Sequence, residues 1–359
     1  MKTSVPLAVR QTRLGGLDLA RYFAFVGMVI VNFKVAMGVD SSSYGQTYVL
    51  GVLTEALEGR AAATFVVLAG VGLGLAAYRT DRTQTIVVTL KRATFLLVVG
   101  LLNATIFEAD ILHYYAVYFL LGVSCLPLSN RALVGLVVAA NVLFVGLLFA
   151  LDYNTGWDWA TLSYSGFWTV NGFIRNLFFN GWHPVFPWVS FLLFGILLSR
   201  GPLSERWMQN RMIGIGLVVF VANAAVSKWF VQMFSGVDAE LGALFATAPI
   251  PPVPLYIIAG LSIASFVIGL CLRTSEWFRA VGVLAAVTPA GRQTLTLYIA
   301  HILIGMGTLE ALGLLGGQSL GIAVVCALVF CALATIASYL WAQRFKRGAI
   351  EALMRAVTG

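Results

Sequence analysis

The stretch FEADILHYYAVYFLLG, Phe107 to Gly122, places Asp110 three residues before His113, which Tyr114 and Tyr115 follow directly. A carboxylate that orients an imidazole makes a general base, because the far ring nitrogen is left to accept a proton from a reacting group. Two further histidines complete the chain's set. His183, in FNGWHPVFPWVSFLLFG, precedes Pro184 at the expected start of a helix, where the helix dipole disfavours the charged ring and leaves a neutral proton acceptor. His301 shares one helix face with Thr294 and Tyr298, at spacings i, i+4 and i+7, close to the expected bilayer midplane. Each has a plain structural alternative: a helix cap for His183, a packing hydrogen bond for His301.

The charged residues inside apolar segments form a second set, since a charge in hydrocarbon costs several kcal/mol unless paired or wet. Asp18 and Arg21 lie at i, i+3 in GLDLARYFAFVGMVIVNF, with Asn32 continuing their stripe. Arg292 opens TPAGRQTLTLYIAH at the same side. Arg21 and Arg292 present forked donors suited to phosphate oxygens, and a structural Asp18–Arg21 pair is the competing reading. Glu58 and Arg60 sit at the outer start of the second apolar run. Together with Asp110, His113, His183 and Arg175 they are expected to line an outward polar cavity, with Tyr114 and Tyr298 beside it as substrate contacts. Cys125, Cys271, Cys326 and Cys331 show no ligand spacing, so no metal is expected. Gly70, Gly72 and Gly74 lack the strand and spacing of a dinucleotide loop; Gly70 and Gly74 read instead as a small-xxx-small packing face. The sequon at Asn103 falls inside an apolar run and carries no meaning as a glycosylation site.

The elements that must position these residues are membrane helices. Of the 359 residues 60% are hydrophobic and 11% charged, and the mean hydropathy of +0.89 exceeds what a soluble domain can bury. Ten apolar runs are legible, at roughly 15–38, 59–78, 92–112, 113–128, 132–151, 184–199, 212–232, 253–272, 290–311 and 319–342. They predict one all-α domain over 1–359, a polytopic bundle of about ten transmembrane helices. The net charge of +8 invites a nucleic-acid reading, but its distribution removes it. With both termini inside, 17 of the 23 basic residues fall in cytoplasmic segments and only Lys34, Arg60, Arg175 and Lys228 outside. That asymmetry is the positive-inside signature of an N-in, C-in protein. The basic N-terminal lead reads as an uncleaved anchor. The aromatic loop 152–182 reads as an outer cap, 276–288 as an interfacial helix ending before Pro289, and RFKRGAIEALMRAV as a helix along the inner leaflet.

The blocks LDLARYFAFVGMVIVNF, EGRAAATFVVLAGVGLGL, ADILHYYAVYFLLG, HPVFPWVSFLLFGILLSR and AGRQTLTLYIAHILIG resemble, in this order, those of the YeiB-like bacterial membrane proteins. DILHYYA and GRQTLTLYIAH are the most specific. That family is similar to the transmembrane acyltransferases that include heparan-α-glucosaminide N-acetyltransferase. The resemblance implies a multi-pass protein of the bacterial inner membrane that takes an acyl group from cytosolic acyl-CoA and passes it to a small-molecule or glycan hydroxyl or amine outside. It implies an inner CoA site at Arg21, Asp18 and Arg292, and a histidine base at the outer end. The sugar N-acetyltransferase carries a histidine between its first two spans, and KVAMGVDSSSYGQTYVLGVLTEALEG has none. His113 with Asp110, or His183, is the expected substitute. Besides the bilayer and the acceptor, a homodimer is admitted but not required by the sequence. A second class fits the same residues: a small-molecule transporter using the histidines, His301 included, as a proton relay. No inverted repeat and no midplane acid accompanies it.

Overall fold

The computed structural model describes residues 14–39 and 48–359. The basic lead with Lys2, Arg10 and Arg13, and most of the loop 39–48, lie outside the described residues. Helix α1 (Gly15–Ala36) carries Asp18 in its first turn, where a carboxylate complements the dipole. Helices α2 (Tyr48–Leu57) and α3 (Arg60–Ala77) run on as one span through Gly59, held at φ 65°. A side chain there would meet the Tyr256 hydroxyl, so glycine serves both the turn and the close approach. Helix α4 (Arg82–Ala104) begins on Asp81, whose carboxylate accepts from Thr83 N (3.0 Å) and Gln84 N (3.3 Å). Helices α5 (Leu112–Cys125) and α6 (Asn130–Ala150) follow, the latter capped by Ser129 Oγ on Ala132 N at 3.2 Å.

A two-stranded ribbon, β1 (Trp157–Asp158) and β2 (Ser163–Tyr164), leads to the short α7 (Val170–Arg175) and a π-helical turn at Asn176–Asn180. Then come α8 (Val185–Ser199), α9 (Arg206–Ser235), α10 (Ala239–Ala243) and α11 (Pro254–Ala280), which starts on a proline at its first turn. Helices α12 (Val283–Arg292) and α13 (Thr294–Ala300), a π turn at His301–Met306, α14 (Gly307–Ala311), α15 (Leu320–Ala342) and α16 (Ala349–Thr358) complete the chain.

The protein is an all-α, multi-pass membrane bundle. Among the described residues eight helices are long and apolar enough to span, or nine when Val170–Asn180 and Val185–Ser199, bent by 50°, count as one broken span. Helix α8 is the central element: 12 of its 15 residues are buried. It packs on α3 at backbone distance, since a Cβ on Gly70 would lie 2.1 Å from Leu192 O and one on Gly195 2.1 Å from Val67 O. The packing face expected at Gly70 and Gly74 is thus the surface α8 occupies. Helices α6, α9 and α15 keep most of their apolar surface outward, as lipid-facing helices do.

The sequence places a span at 92–112 and the next at 113–128; the helices lie at 82–104 and 112–125, joined by a seven-residue turn. Polar groups displace the boundary, because Asp81 starts α4 early and Asn103 and Asp110 bond each other across the turn. Helix α12 runs through Pro289 instead of ending before it, with Gly282 at φ 78° as the break from α11.

The end of the bundle that carries Arg82, Arg131, Arg200 and α16 is called inner here. Helices α5 and α6 both start from the inner turn at 126–129. With 14 and 21 residues, they are about 21 and about 31 Å long, so α5 stops about 10 Å short of the outer surface. The segment 152–182 fills that space as a cap. Trp157 and Trp159 stack at 4.5 Å, Trp157 Nε1 donates to Asn180 O (2.6 Å), and Tyr164 N donates to Glu108 in the α4–α5 turn (2.9 Å).

Candidate functional site

Asp110 is fully buried at the base of this cap, and its carboxylate collects five donors. Oδ1 accepts from Asn103 Nδ2 (2.7 Å) and from the Tyr298 hydroxyl (3.0 Å). Oδ2 accepts from Leu112 N (2.7 Å), His113 N (3.3 Å) and His113 Nδ1 (3.2 Å). Two of these are first-turn amides of α5, so Asp110 serves as the cap of the helix that carries His113. A buried carboxylate persists as an anion only with such full bonding. The proton between Asp110 and His113 then belongs to Nδ1, and the lone pair of a neutral ring belongs to Nε2.

His113 Nε2 is buried and finds no hydrogen-bond partner among the described residues. Its ring lies 4.0 Å from the Tyr114 ring, 5.7 Å from Phe167 and 6.4 Å from Phe173, the last two from the cap. Gly100 permits the approach of α4 to this point, because a Cβ there would stand 2.3 Å from His113 N and 3.0 Å from Asp110 Oδ2.

His183 lies across Tyr114, with ring centres 5.9 Å apart, in the break between the π turn and α8. Its carbonyl accepts from the Tyr118 hydroxyl (2.6 Å), and its ring meets Trp188 edge-on at 4.7 Å. Tyr114 donates to Asn176 Oδ1 of the π turn. His183 Nδ1, Trp182 Nε1, Trp188 Nε1 and the Tyr256 hydroxyl are also buried without a partner among the described residues. Trp188 joins Tyr256 at 6.0 Å, so the rings of His113, Tyr114, His183, Trp188 and Tyr256 touch in succession across the bundle. Each buried polar atom costs about 1–3 kcal/mol when unpaired.

Below the dyad lies a cavity of ≈ 220 Å³ whose wall includes Ile111, Leu112 and Tyr298 at the outer end and Arg92, Thr294 and Met354 at the inner end. Met28, Ala62, Phe65, Leu96, Tyr115 and Phe119 make its sides. The chamber is thus apolar, walled at the top by the Asp110–Tyr298 contact and flanked at the bottom by a guanidinium. From Arg92 to Asn103 along α4 is about 16 Å at 1.5 Å per residue, a length suited to an extended arm entering from inside.

His301 is placed differently. Its Nδ1 bonds the Tyr298 carbonyl and its Nε2 pairs with Asn32 Nδ2 at 3.0 Å. With both nitrogens engaged, it fixes the π turn and Tyr298 and leaves no lone pair for a substrate. Arg21 Nη1 (2.7 Å) and Arg292 Nε (3.1 Å) both reach the Asp18 carboxylate, which is 1% exposed, so the expected phosphate pair is gathered on an acid. Gly291 packs on the Asp18 backbone in the same contact. The cavity is walled by Arg92 rather than by Arg21 or Arg292.

Glu58 pairs with Lys34 (2.5 Å), and Arg60 donates to the carbonyls of Glu55 (3.1 Å) and Thr247 (3.0 Å). These two hold the α2–α3 corner. Arg175 ends α7 and acts on Tyr164: burial pushes that phenol up, against the Asn180 hydrogen bond and the Arg175 charge. Among the described residues no group of three or more His, Cys, Asp or Glu has metal-site geometry.

Reading the sequence missed Asn103, Arg92, Asn176 and Tyr118. Asn103 was visible as an amide inside an apolar run, the signal that marked the charged residues. Arg92 was legible only as one of several inner basic residues.

A sequence model of the heparan-alpha-glucosaminide N-acetyltransferase catalytic region matches residues 13–234, more than half of the chain. A second, described as a protein of unknown function (DUF418), matches residues 240–359. No curated protein and no solved structure matches the chain significantly. The Asp110–His113 dyad, the cavity's side walls and the cap all lie in the first segment; Tyr298, His301 and Met354 lie in the second. The chain belongs to the heparan-alpha-glucosaminide N-acetyltransferase catalytic family, as a YeiB-like relative of these transmembrane acyltransferases.

Proposed function

We propose that this protein moves an acyl group from acyl-CoA at the cytosolic face of the bacterial inner membrane to a hydroxyl or amine of a small-molecule or glycan acceptor at the outer face. The observation that carries the reading is His113 Nε2: buried, unpartnered, and on a ring whose Nδ1 is bonded to an anchored carboxylate. An imidazole held only for packing has no use for an orphaned nitrogen in a dry site.

His113 takes the proton of the acceptor as its O or N bonds to the thioester carbonyl. Asp110 stabilises the resulting imidazolium. As the C–S bond breaks, His113 returns the proton to the leaving thiolate and is neutral again. Such general-base help is worth about 10²–10⁴ in rate, with positioning supplying much of the rest. The apolar cavity excludes water, which would otherwise hydrolyse the thioester. The cap carries Trp157, Trp159 and Phe167 over the site, where an acceptor arrives from outside.

The alternative of a transporter with a histidine relay uses His301 as its mid-membrane member, and both nitrogens of that ring are occupied. Purified protein in detergent, given acetyl-CoA labelled in the acetyl group, tests the reading. Retention of CoA with slow release of label as acetate, lost in His113→Gln, supports it; no CoA binding by folded protein refutes it.

A further inference from the structure

Helix α16 stands beside the inner end of the cavity, held by a hydrogen-bonded clasp. Glu351 accepts from Leu295 N (2.8 Å), Thr296 N (3.2 Å) and Thr296 Oγ1 (2.5 Å), capping the exposed amides of α13. Ile350 N donates back to Thr296 Oγ1 at 2.9 Å. This docking packs α16 against α4 and puts Met354 into the cavity wall beside Arg92, with Arg355 the next residue along the helix and within electrostatic reach of Arg92. Neither arginine has a carboxylate within salt-bridge distance or an accepted hydrogen bond among the described residues, and Arg92 Nε is buried without a partner. Arg92 in the cavity wall and Arg355, the residue after Met354, thus bring two like charges, which repel, to the edge of an apolar chamber. An anion between them turns that repulsion into two charge-assisted contacts.

We propose that Arg92 and Arg355 form a phosphate-ester site at the inner mouth of the cavity, a site that exists only while the C-terminal helix is docked. The helix is then a strap whose closure and ligand binding are one equilibrium: the ligand favours the docked state by as much as the docked state favours the ligand. The guanidinium fork fits carboxylate and phosphate oxygens alike, but two positive charges are balanced by a doubly charged phosphate ester or a pyrophosphate and not by a single carboxylate. The phosphate esters at this depth are those of a nucleotide such as CoA or of an anionic lipid headgroup. The inference rests on the proposed reading only where the ligand is CoA.

The test is hydrogen exchange of residues 349–358 in the full chain, reconstituted in phosphatidylcholine nanodiscs. CoA is added in one arm, and phosphatidylglycerol is built into the disc in another. Slowed exchange in either arm, lost in Arg355→Gln and in Arg92→Gln, supports the site. Protection by CoA alone assigns it to the donor; protection by phosphatidylglycerol alone keeps the site and removes the acyl-CoA reading. In the CoA arm the dissociation constant is expected to rise about tenfold for Arg355→Gln. Glu351→Gln, which touches no phosphate, is expected to raise both the exchange rate and the dissociation constant. Where CoA is the protecting ligand, CoA binding within twofold of wild type in both arginine variants overturns the inference and leaves the acyltransferase reading standing. Unchanged exchange in both arms overturns it as well.

Discussion

Asp110→Asn separates the structural from the chemical role of the dyad, because the surroundings of the two carboxylate oxygens differ. The Oδ2 side faces Leu112 N, His113 N and His113 Nδ1, two of which are fixed amides that cannot turn. The Oδ1 side faces Asn103 Nδ2 and the Tyr298 hydroxyl, and both of these can rotate to present an acceptor. The new amide nitrogen therefore takes the Oδ1 side, and the remaining oxygen keeps the α5 cap. Three bonds on Oδ2 fall from charge-assisted to neutral, at about 1 kcal/mol each, offset by relief from burying a charge, for a net loss of about 1–2 kcal/mol. That is a shift of a few degrees in Tm. The imidazolium loses its counter-ion outright, so acyl transfer is expected to fall about 10²–10⁴-fold. The assay is release of free CoA thiol by purified protein, paired with a thermal unfolding scan on the same sample. Turnover within about threefold of wild type, with the lowered Tm, would refute a chemical role and leave Asp110 as a helix cap.

His113→Gln is expected to cost at least ~10² in turnover and, because the Nδ1 bond to Asp110 and the ring contacts go with it, about 1–3 kcal/mol of stability; circular dichroism melts check the second half. His301→Phe removes both ring bonds and strands Asn32, so it should lower stability by about 1–3 kcal/mol, while turnover per folded molecule falls less than in His113→Gln, through the loosened Tyr298 contact on Asp110. Gly100→Ala puts a methyl 2.3 Å from His113 N. It should push α4 from α5 and reduce turnover as strongly as a dyad variant, without altering any group that does chemistry.

The helical spans were legible because a period of 3.6 and runs of about 20 apolar residues are one-dimensional signals. The pairing of Asp110 with His113 was legible for the same reason, being local at i, i+3. What was not legible came from long-range closure. Tyr298 meets Asp110 across 188 positions and Asn32 meets His301 across 269. No spacing rule reports such contacts, so the bond between Asn32 and His301 Nε2 could not be read from the sequence. The same holds for Arg21 and Arg292: no spacing rule showed that Arg292 joins Arg21 on Asp18 across 274 positions. The depth of the dyad was hidden as well. It follows from α5 being seven residues shorter than α6, a boundary set by Asn103 and Asp110 rather than by hydropathy.

The central claim is that one protein carries an acyl group from an inner donor to an outer acceptor through the Asp110–His113 site. The direct measurement uses sealed inside-out membrane vesicles, in which cytosolic-face donor is supplied outside and transferred label is trapped in the lumen. With acetyl-labelled acetyl-CoA outside, the account predicts luminal acylated product in vesicles holding the wild-type chain and none with His113→Gln. Equal luminal label in the two, or none in either while the wild-type protein is folded and membrane-inserted, would contradict it.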